Sequence, residues 1–470
     1  MNAPATSPLI FNWIGPRSRN LAIAGFIGMS FGLHFAGFYL FQVVYPPTVS
    51  LLPSSSLVRP GGIQMFGKID ASFVSACTLA AAMLVPQHGS AANGFRVLYS
   101  FPTTEDGASP QAGLIKDSAG NLYGTTFYGG NTQFQEGTAF KLAPDGTKAV
   151  LHNFSGGPDG GLPAGLTMDS AGNLYGTTLQ GGLTDGCNGH GCGVVFKIAP
   201  DGTQTVLYTF SGGSDGAQPE GAVILDRKGN LYSTTDGGGA NRVGTVFRLT
   251  PDGKEKVLHS FADGSDGASP VAGPTMDKAG NLYGTTNYGG GGNLCEGFGT
   301  ACGTIYKIAA DGTETILYAF TGGIDGANPV GGLLMDKAGN LYGTTEFGGF
   351  GSGCGGSGCG TVFKLTPGGT FSVLYTFAGG SDGGQPVASL VGDREGNLYG
   401  TTLFWGDGYG VVFKLAPDGT QTVLHSFSNG NDGAYPWGAL LKVSRNKFAS
   451  TSSGGGDQNC FCGTVFKLRK

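Results

Sequence analysis

The phrase GNLYGTT occupies Gly120–Thr126 and returns at 172–178, 280–286, 339–345 and 396–402, with GNLYSTT at 229–235 and a degenerate copy, NKFASTS, at 446–452. Each copy is followed by a glycine-rich stretch of variable length, then GTxFK, then a Pro-Asp-Gly-type turn, then VLYSF or a close variant. A period of this kind constrains the fold before any residue is given a role. One unit cannot bury its apolar face alone, so the units must bury one another.

The VLYSF elements begin at Val97, Val150, Val206, Val257, Ile316, Val373 and Val423, so successive units span 53, 56, 51, 59, 57 and 50 residues. Each unit offers four strands: a segment from proline to aspartate such as Pro110–Asp117, then NLYGTT, then GTxFKL, then VLYSF. Alternation supports the last two, because Thr138, Phe140 and Leu142 share one face and Val97, Tyr99 and Phe101 share another. DxxGN (Asp117–Asn121) and PDGT (Pro144–Thr147) are short hairpin turns with glycine where φ must be positive. Four antiparallel strands repeated seven times predict an all-β fold, a seven-bladed β-propeller. The domain opens with a lone fourth-type strand (Phe95–Phe101) and ends with a third-type strand (Gly463–Leu468). Pairing them closes the last blade with the N-terminal strand and removes a free edge. A β-solenoid is the alternative, and it leaves both terminal strands uncapped.

Glycine makes up 90 of 470 residues without a collagen period, and only 13% of residues are charged. That composition suits short strands joined by turns rather than a solvated disordered chain. Residues 1–92 carry Arg17, Arg19, Arg59 and Lys68 against Asp70, which leaves the repeats at a formal charge of −8. No basic run is present, and the footprint of a nucleic-acid binder is missing.

Two apolar segments precede the repeats and divide the chain into an N-terminal segment (1–64), a signal-like segment (65–93) and the propeller (94–470). Leu21–Tyr45 is 25 residues without a charge, long enough for a transmembrane helix, and a Pro/Ser-rich linker follows it. Ala71–Pro86 has the length of a signal-peptide core and ends near the small-residue run Ser90-Ala91-Ala92. Either Met1 starts a membrane-anchored protein, or Met65 starts a secreted one whose leader is cleaved.

Cys77 lies in this leader. The other eight cysteines form close pairs, Cys187/Cys192, Cys295/Cys302, Cys354/Cys359 and Cys460/Cys462, each in a glycine-rich loop. Paired cysteines in loops read as local disulfides in an oxidising compartment. The last pair, with only Phe461 between, is the one whose bridging the spacing leaves open. The expected location is outside the cytoplasm: periplasmic, outer-surface or extracellular, with membrane contact only through the N-terminal segment.

The phrases GNLYGTT, GTVFKL, PDGT and VLYSF together resemble the GloVer tandem repeat of exported bacterial proteins, the "choice-of-anchor" group, over residues 95–468. The resemblance implies export and surface association, often through a C-terminal sorting signal. This chain ends at Lys470 directly after the final strand, so the expected anchor is N-terminal. The resemblance implies no activity.

Candidate sites are weighed against the repeat itself. Asp106, Asp159, Asp215, Asp266, Asp325, Asp382 and Asp432 each precede a glycine after VLYSF. They could offer oxygen ligands to calcium, but sevenfold repetition favours a turn in which the carboxylate accepts local N–H bonds, and no cofactor is expected. A second set, Asp117, Asp169, Asp226, Asp277, Asp336 and Asp393, is expected to pair within its blade with Lys141, Lys197, Arg248, Lys307, Lys364 and Lys414. His190, between Cys187 and Cys192, has zinc-like company, but the trio reads as a disulfide with a passing histidine, and no metal site is assigned. No catalytic set stands out from the repeat.

The loop after each YGTT breaks the symmetry. It carries the cysteine pairs and exposed aromatics, and it emerges on the same face as the loop into the next blade, where Trp437 lies. Variable loops on a rigid scaffold are where binding resides, and aromatics there suit sugar rings or protein partners. Trp405, Trp437, Tyr128, Tyr288 and Phe347 are the candidate ligand-binding residues, although aromatics at such positions can also cap their own loops. The expected function is a binding scaffold at the cell surface for a carbohydrate or protein partner. The alternatives are a polysaccharide-active lyase or hydrolase, which requires acidic or basic residues converging on the central channel, and a purely structural surface protein.

Overall fold

The computed structural model describes residues 94–182, 187–291 and 302–470; both leader segments, Cys77 and Cys295 lie outside them. Among the described residues, no helix is long and apolar enough to cross a membrane. The strands form seven four-stranded antiparallel sheets, six of them in simple sequence order, arranged as a β-propeller. Blade one is Ile115–Lys116, Leu122–Thr126, Thr138–Leu142 and Lys148–Asn153. Blades two to six repeat it. Blade seven takes Leu441–Ser444, Lys447–Ser452 and Thr464–Arg469 from the C-terminus and Arg96–Ser100 from the N-terminal side. Arg96 pairs with Lys467 and Ser100 with Thr464, so the expected closure of the ring is present.

The blades are held to one another mainly by aromatic rings. The final phenylalanine of each VLYSF element is fully buried, as is the aromatic of each GTxFK element in the next blade. They meet edge to face at every junction: Phe101–Phe140, Phe154–Phe196, Phe210–Phe247, Phe261–Tyr306, Phe320–Phe363, Phe377–Phe413 and Phe427–Phe466. Centroids are 5.0–5.5 Å apart. Burying such a ring contributes about 1.5–3 kcal/mol, and the edge-to-face geometry adds roughly 0.5–1.5.

Nearer the axis the blades approach through small residues, because a larger side chain has no room there. A methyl group on Gly165 would lie 3.0 Å from Ala222 of the next blade, and one on Gly273 would collide with the Ala222 carbonyl. Close approach lets the first threonine of each YGTT cap a carbonyl of the following blade. Thr125 donates to Ala164 (2.9 Å), Thr177 to Gly221 (3.1 Å), Thr234 to Ala272 (3.0 Å), Thr285 to Gly331 (3.3 Å), Thr344 to Ala388 (3.4 Å) and Thr451 to Ala112 (3.0 Å). Blade six is the exception. Thr401 Oγ1 is buried with no partner, and the carbonyl of Gly438 accepts Ser450 Oγ instead at 2.8 Å.

The two aspartate sets have distinct structural roles. Every Asp-Gly aspartate accepts from the Tyr or His seven residues earlier, as in Tyr208–Asp215 (3.1 Å), His259–Asp266 (3.1 Å) and Tyr318–Asp325 (3.0 Å). In six copies it also accepts a main-chain N–H four residues back. In the first copy that residue is Pro102, which has no N–H, and the Lys148 ammonium supplies the donor to Asp106 at 2.7 Å. The glycine that follows is obligatory: Gly216 has φ of 108°, and a Cβ there would lie 2.5 Å from Thr235 Oγ1.

The expected pairing of the second set with strand cations is not what forms. Asp277 accepts Asn281 N (2.9 Å), Asn281 Nδ2 (2.7 Å) and Tyr283 Oη (3.1 Å). Desolvation pushes its carboxyl up, and these hydrogen bonds outweigh that and hold it below the usual range. Lys307 lies opposite Tyr283 across the strand pair, 5.8 Å from the ring, because the two-residue alternation aims it at the tyrosine face rather than at the turn. Asp393 does carry an ion pair, but with Lys470 (2.6 Å) rather than Lys414.

The girdle of threonines can be tested with an internal control. Thr234→Val leaves the Ala272 carbonyl without its donor and is expected to cost about 1 kcal/mol in chemical denaturation. Thr401→Val removes a hydroxyl that has no partner and is expected to be neutral or stabilising.

Candidate functional site on the loop-rich face

In a four-stranded antiparallel blade the second-to-third and fourth-to-first connections leave on one side, and the DxxGN and PDGT turns on the other. The two connections are tied together by the residue preceding the conserved proline. Ser109, Leu162, Gln218, Ser269, Asn328, Gln385 and Tyr435 all hold a left-handed backbone, with φ between 55° and 59°. A side chain in that region costs on the order of 1–3 kcal/mol. In return the residue bridges two blades: Gln218 N donates to Cys192 O of blade two (2.8 Å), and its carbonyl accepts Asp236 N of blade three (3.0 Å).

The cysteine loops brace this face. Disulfides join Cys187 to Cys192, Cys354 to Cys359 and Cys460 to Cys462, and Cys302 is also disulfide-bonded. Cys192, Cys302, Cys359 and Cys462 are buried at the loop bases. Their sulfurs lie against the adjoining connection, close enough that a Cβ on Gly212 would come 2.6 Å from Cys192 Sγ. The two sulfurs of the closely spaced last pair also lie side by side. His190 is exposed beside the first bridge, and its charge draws Glu136 down although burial, the larger effect, leaves that carboxyl raised.

The five candidate aromatics do not form one patch. Tyr128, Tyr288 and Phe347 occupy the same position in blades one, four and five, each bridged to the residue after the Asp-Gly pair. Tyr128 is 49% exposed and stands edge-on to Phe127 at 4.9 Å. Phe347 is half-buried and packs against the core shared by blades four and five. Trp405 is half-buried in a left-handed conformation, lies over Gly384 and is edge-on to Phe404. Phe404 and Tyr435 are 5.4 Å apart and Tyr435 and Tyr409 5.7 Å, so an aromatic cluster spans blades six and seven. Half-buried Trp437 follows it, two residues beyond Tyr435.

Tyr288 has different company. The position directly after each Thr-Thr reads Phe127, Leu179, Asp236, Asn287, Glu346, Leu403 and Ser453. The position after the conserved proline reads Gln111, Ala164, Glu220, Val271, Val330, Val387 and Trp437. Blades three to five therefore place Glu220, Asp236, Asn287 and Glu346 where other blades hold mostly apolar side chains. Asp236, Glu346 and Glu220 all act electrostatically on Tyr288, whose hydroxyl is raised chiefly by desolvation and then by those charges. Glu346 is pushed up to about 7 by desolvation, Glu220 well above the usual range by desolvation and the Asp236 charge, and Asp236 up by desolvation. The three residues are half-buried and their carboxyls are desolvated, so they lie recessed behind the loop surface. Ser269 donates a very short hydrogen bond to Asp236, and Asn328 Nδ2 donates to the Asn287 carbonyl at 3.0 Å. This recess was legible only by aligning the seven copies and reading the column after Thr-Thr, which no motif search inspects.

Among the described residues, no three acidic, histidine or cysteine side chains are grouped closely enough to hold a metal ion. The arrangement can accept hydrogen bonds from a bound ligand, and it can hold a proton on a carboxyl near neutrality.

The Gloeobacter/Verrucomicrobia repeat matches residues 87–298 and 294–470. Solved structures to which the chain is similar include a gluconolactonase from Xanthomonas campestris (15% identity, TM-score 0.36, covering 66% of this chain and 89% of that one). Another is the PQQ-bound aldose sugar dehydrogenase of Streptomyces coelicolor (14%, TM-score 0.42, 80% and 97%). A third is a putative 6-phosphogluconolactonase from Bacteroides uniformis (16%, TM-score 0.43, 67% and 84%). At these identities the likeness concerns the fold alone. A search of curated proteins gives no match.

The raised carboxyls give a pH signature. A carboxyl whose folded pKa is about 7 against an ordinary 4.5 ionises first in the unfolded chain. Its stabilising protonated form is therefore lost to the fold as pH rises from about 4.5 through about 7. Glu346→Leu, which copies Leu179 and Leu403, is expected to reduce the stability difference between pH 5 and pH 8 by roughly 1–3 kcal/mol. Paired denaturation curves at the two pH values measure it.

Proposed function

We propose, for a chain that belongs to the Gloeobacter/Verrucomicrobia repeat family, that the propeller is an exported binding scaffold whose loop-rich face takes a carbohydrate. One observation carries the reading. The face built from the variable loops holds both the aromatic cluster of blades six and seven and the polar recess of blades three to five, whereas the opposite face repeats the same turns. Aromatic faces suit the apolar faces of sugar rings, and recessed acceptors suit their hydroxyls. Local disulfides keep such loops in shape outside the cytoplasm, with the N-terminal segment as the tether or leader.

A second reading is favoured by Glu220, Asp236 and Glu346. Carboxyls whose environments raise them towards neutrality can serve as general acids, and the recess then belongs to a polysaccharide-active enzyme. The two readings separate in one experiment with the full chain. Glycan-array binding without release of reducing ends from any polysaccharide is the expected result. Trp437→Ala in a variant that stays folded should weaken that binding at least about tenfold, equivalent to roughly 1.4 kcal/mol. Release of reducing ends that disappears in Glu346→Gln would establish the enzyme and end the scaffold reading.

A further inference from the structure

We propose that the recess of blades three to five binds a primary ammonium group, carried by a free amino sugar of the glycan that the loop-rich face takes. This rests on the carbohydrate reading above and names the part of the ligand that the recess reads.

In the recess the acceptors outnumber the donors placed to meet them. Asn287 is only 8% exposed, and its Oδ1 is buried with no hydrogen-bond partner. Leaving such an oxygen unpaired costs about 1–3 kcal/mol, so its presence points to a donor that arrives from outside. Asn287 occupies the same repeat position as Asp236 and Glu346, because the three residues share one backbone register. Asp236 N donates to Gln218 O, Asn287 N to Ser269 O and Glu346 N to Asn328 O, each at 3.0 Å. Several local donors are already engaged: Ser269 on Asp236, Asn328 on the Asn287 carbonyl, and the Asn287 side chain with Tyr288. No ion pair among the described residues reaches Glu220, Asp236 or Glu346.

A substituted ammonium answers this set. It brings positive charge and three N–H donors, and it can serve several dispersed oxygens at once. A point ion fits less well, since among the described residues no three carboxylates close round a single centre. Tyr288, amid the three carboxylates, adds an aromatic face to which a cation is drawn. The protein solves the same problem once with its own residues. Lys148 Nζ binds the Asp106 carboxylate at 2.7 Å and the Asp106 carbonyl at 2.5 Å, 5.2–5.9 Å from the rings of Tyr99, Phe101 and Phe140. In the recess the cation must come from the ligand.

The test uses the full chain in calorimetry with three probes: a glucosamine oligomer, its fully N-acetylated counterpart and butylamine. Glu346→Leu and Asp236→Leu serve as variants, because Leu179 and Leu403 already occupy the equivalent sites, and near-ultraviolet circular dichroism confirms that they stay folded. The glucosamine oligomer is expected to bind at least about tenfold more tightly than the acetylated one, with butylamine weaker still, and both variants should abolish the preference. Equal affinity for the two oligomers overturns the ammonium site while leaving the glycan face standing. Butylamine binding as tightly as the glucosamine oligomer overturns the sugar assignment and the glycan reading with it. Calcium binding that the variants abolish, without any binding of amine, replaces the proposal with a metal site.

Discussion

The edge-to-face contact between a VLYSF phenylalanine and the aromatic of the next blade's GTxFK strand is the interaction on which the rest of this molecule depends. It occurs at all seven junctions, including the two made by blade seven, which is itself closed by strands from opposite ends of the propeller. With the rings setting the spacing of the blades, the segments around the axis must be glycine, alanine or serine, and the threonine hydroxyls come within reach of the neighbouring carbonyls. Repetition of the phrases is therefore a packing requirement. Every blade presents the same two surfaces because every blade meets the same neighbour.

That requirement also explains how much of the fold could be read from the chain. Strand number, strand order and closure follow from the alternation within GTxFKL and VLYSF and from the unmatched strands at Phe95–Phe101 and Gly463–Leu468. The turn aspartates followed as well, since a carboxylate before a glycine at a strand end has local N–H groups to accept. The pairing of Asp277 was misread because strand direction alone places Lys307 on the same side. The deciding detail is the tyrosine between them, whose hydroxyl reaches the carboxylate while its ring faces the lysine. Contacts of that kind depend on where a side chain ends, which periodicity does not report.

The face proposed to bind stands out by its variability, but its chemistry is only half legible. Aromatics stand out in a glycine-rich loop, so Trp405, Tyr128 and Tyr288 were noticed one by one. The structure separates them: Trp405 lies over Gly384 of the adjoining connection and Tyr128 on Phe127, while Tyr288 sits among carboxylates contributed by blades three and five. Glu220, Asp236 and Glu346 are far apart in sequence and unremarkable singly. They matter because the ring brings columns of the repeat together, so that one position in successive blades becomes one wall of a recess. The strained residue before each proline belongs to the same device, joining the two connections that carry these columns.

Identical junctions and divergent mouths thus divide the labour, with the repeat holding the shape and its exceptions holding the site. The most direct test of this division is hydrogen–deuterium exchange of the full chain with and without a saturating glucosamine oligomer. Protection confined to segments 218–220, 235–237, 269–271, 286–288 and 345–347, with the PDGT turns of the opposite face unchanged, is the predicted result. Protection of the turns at 144–147, 200–203 and 251–254 instead would place the ligand on the repeated face and contradict the account.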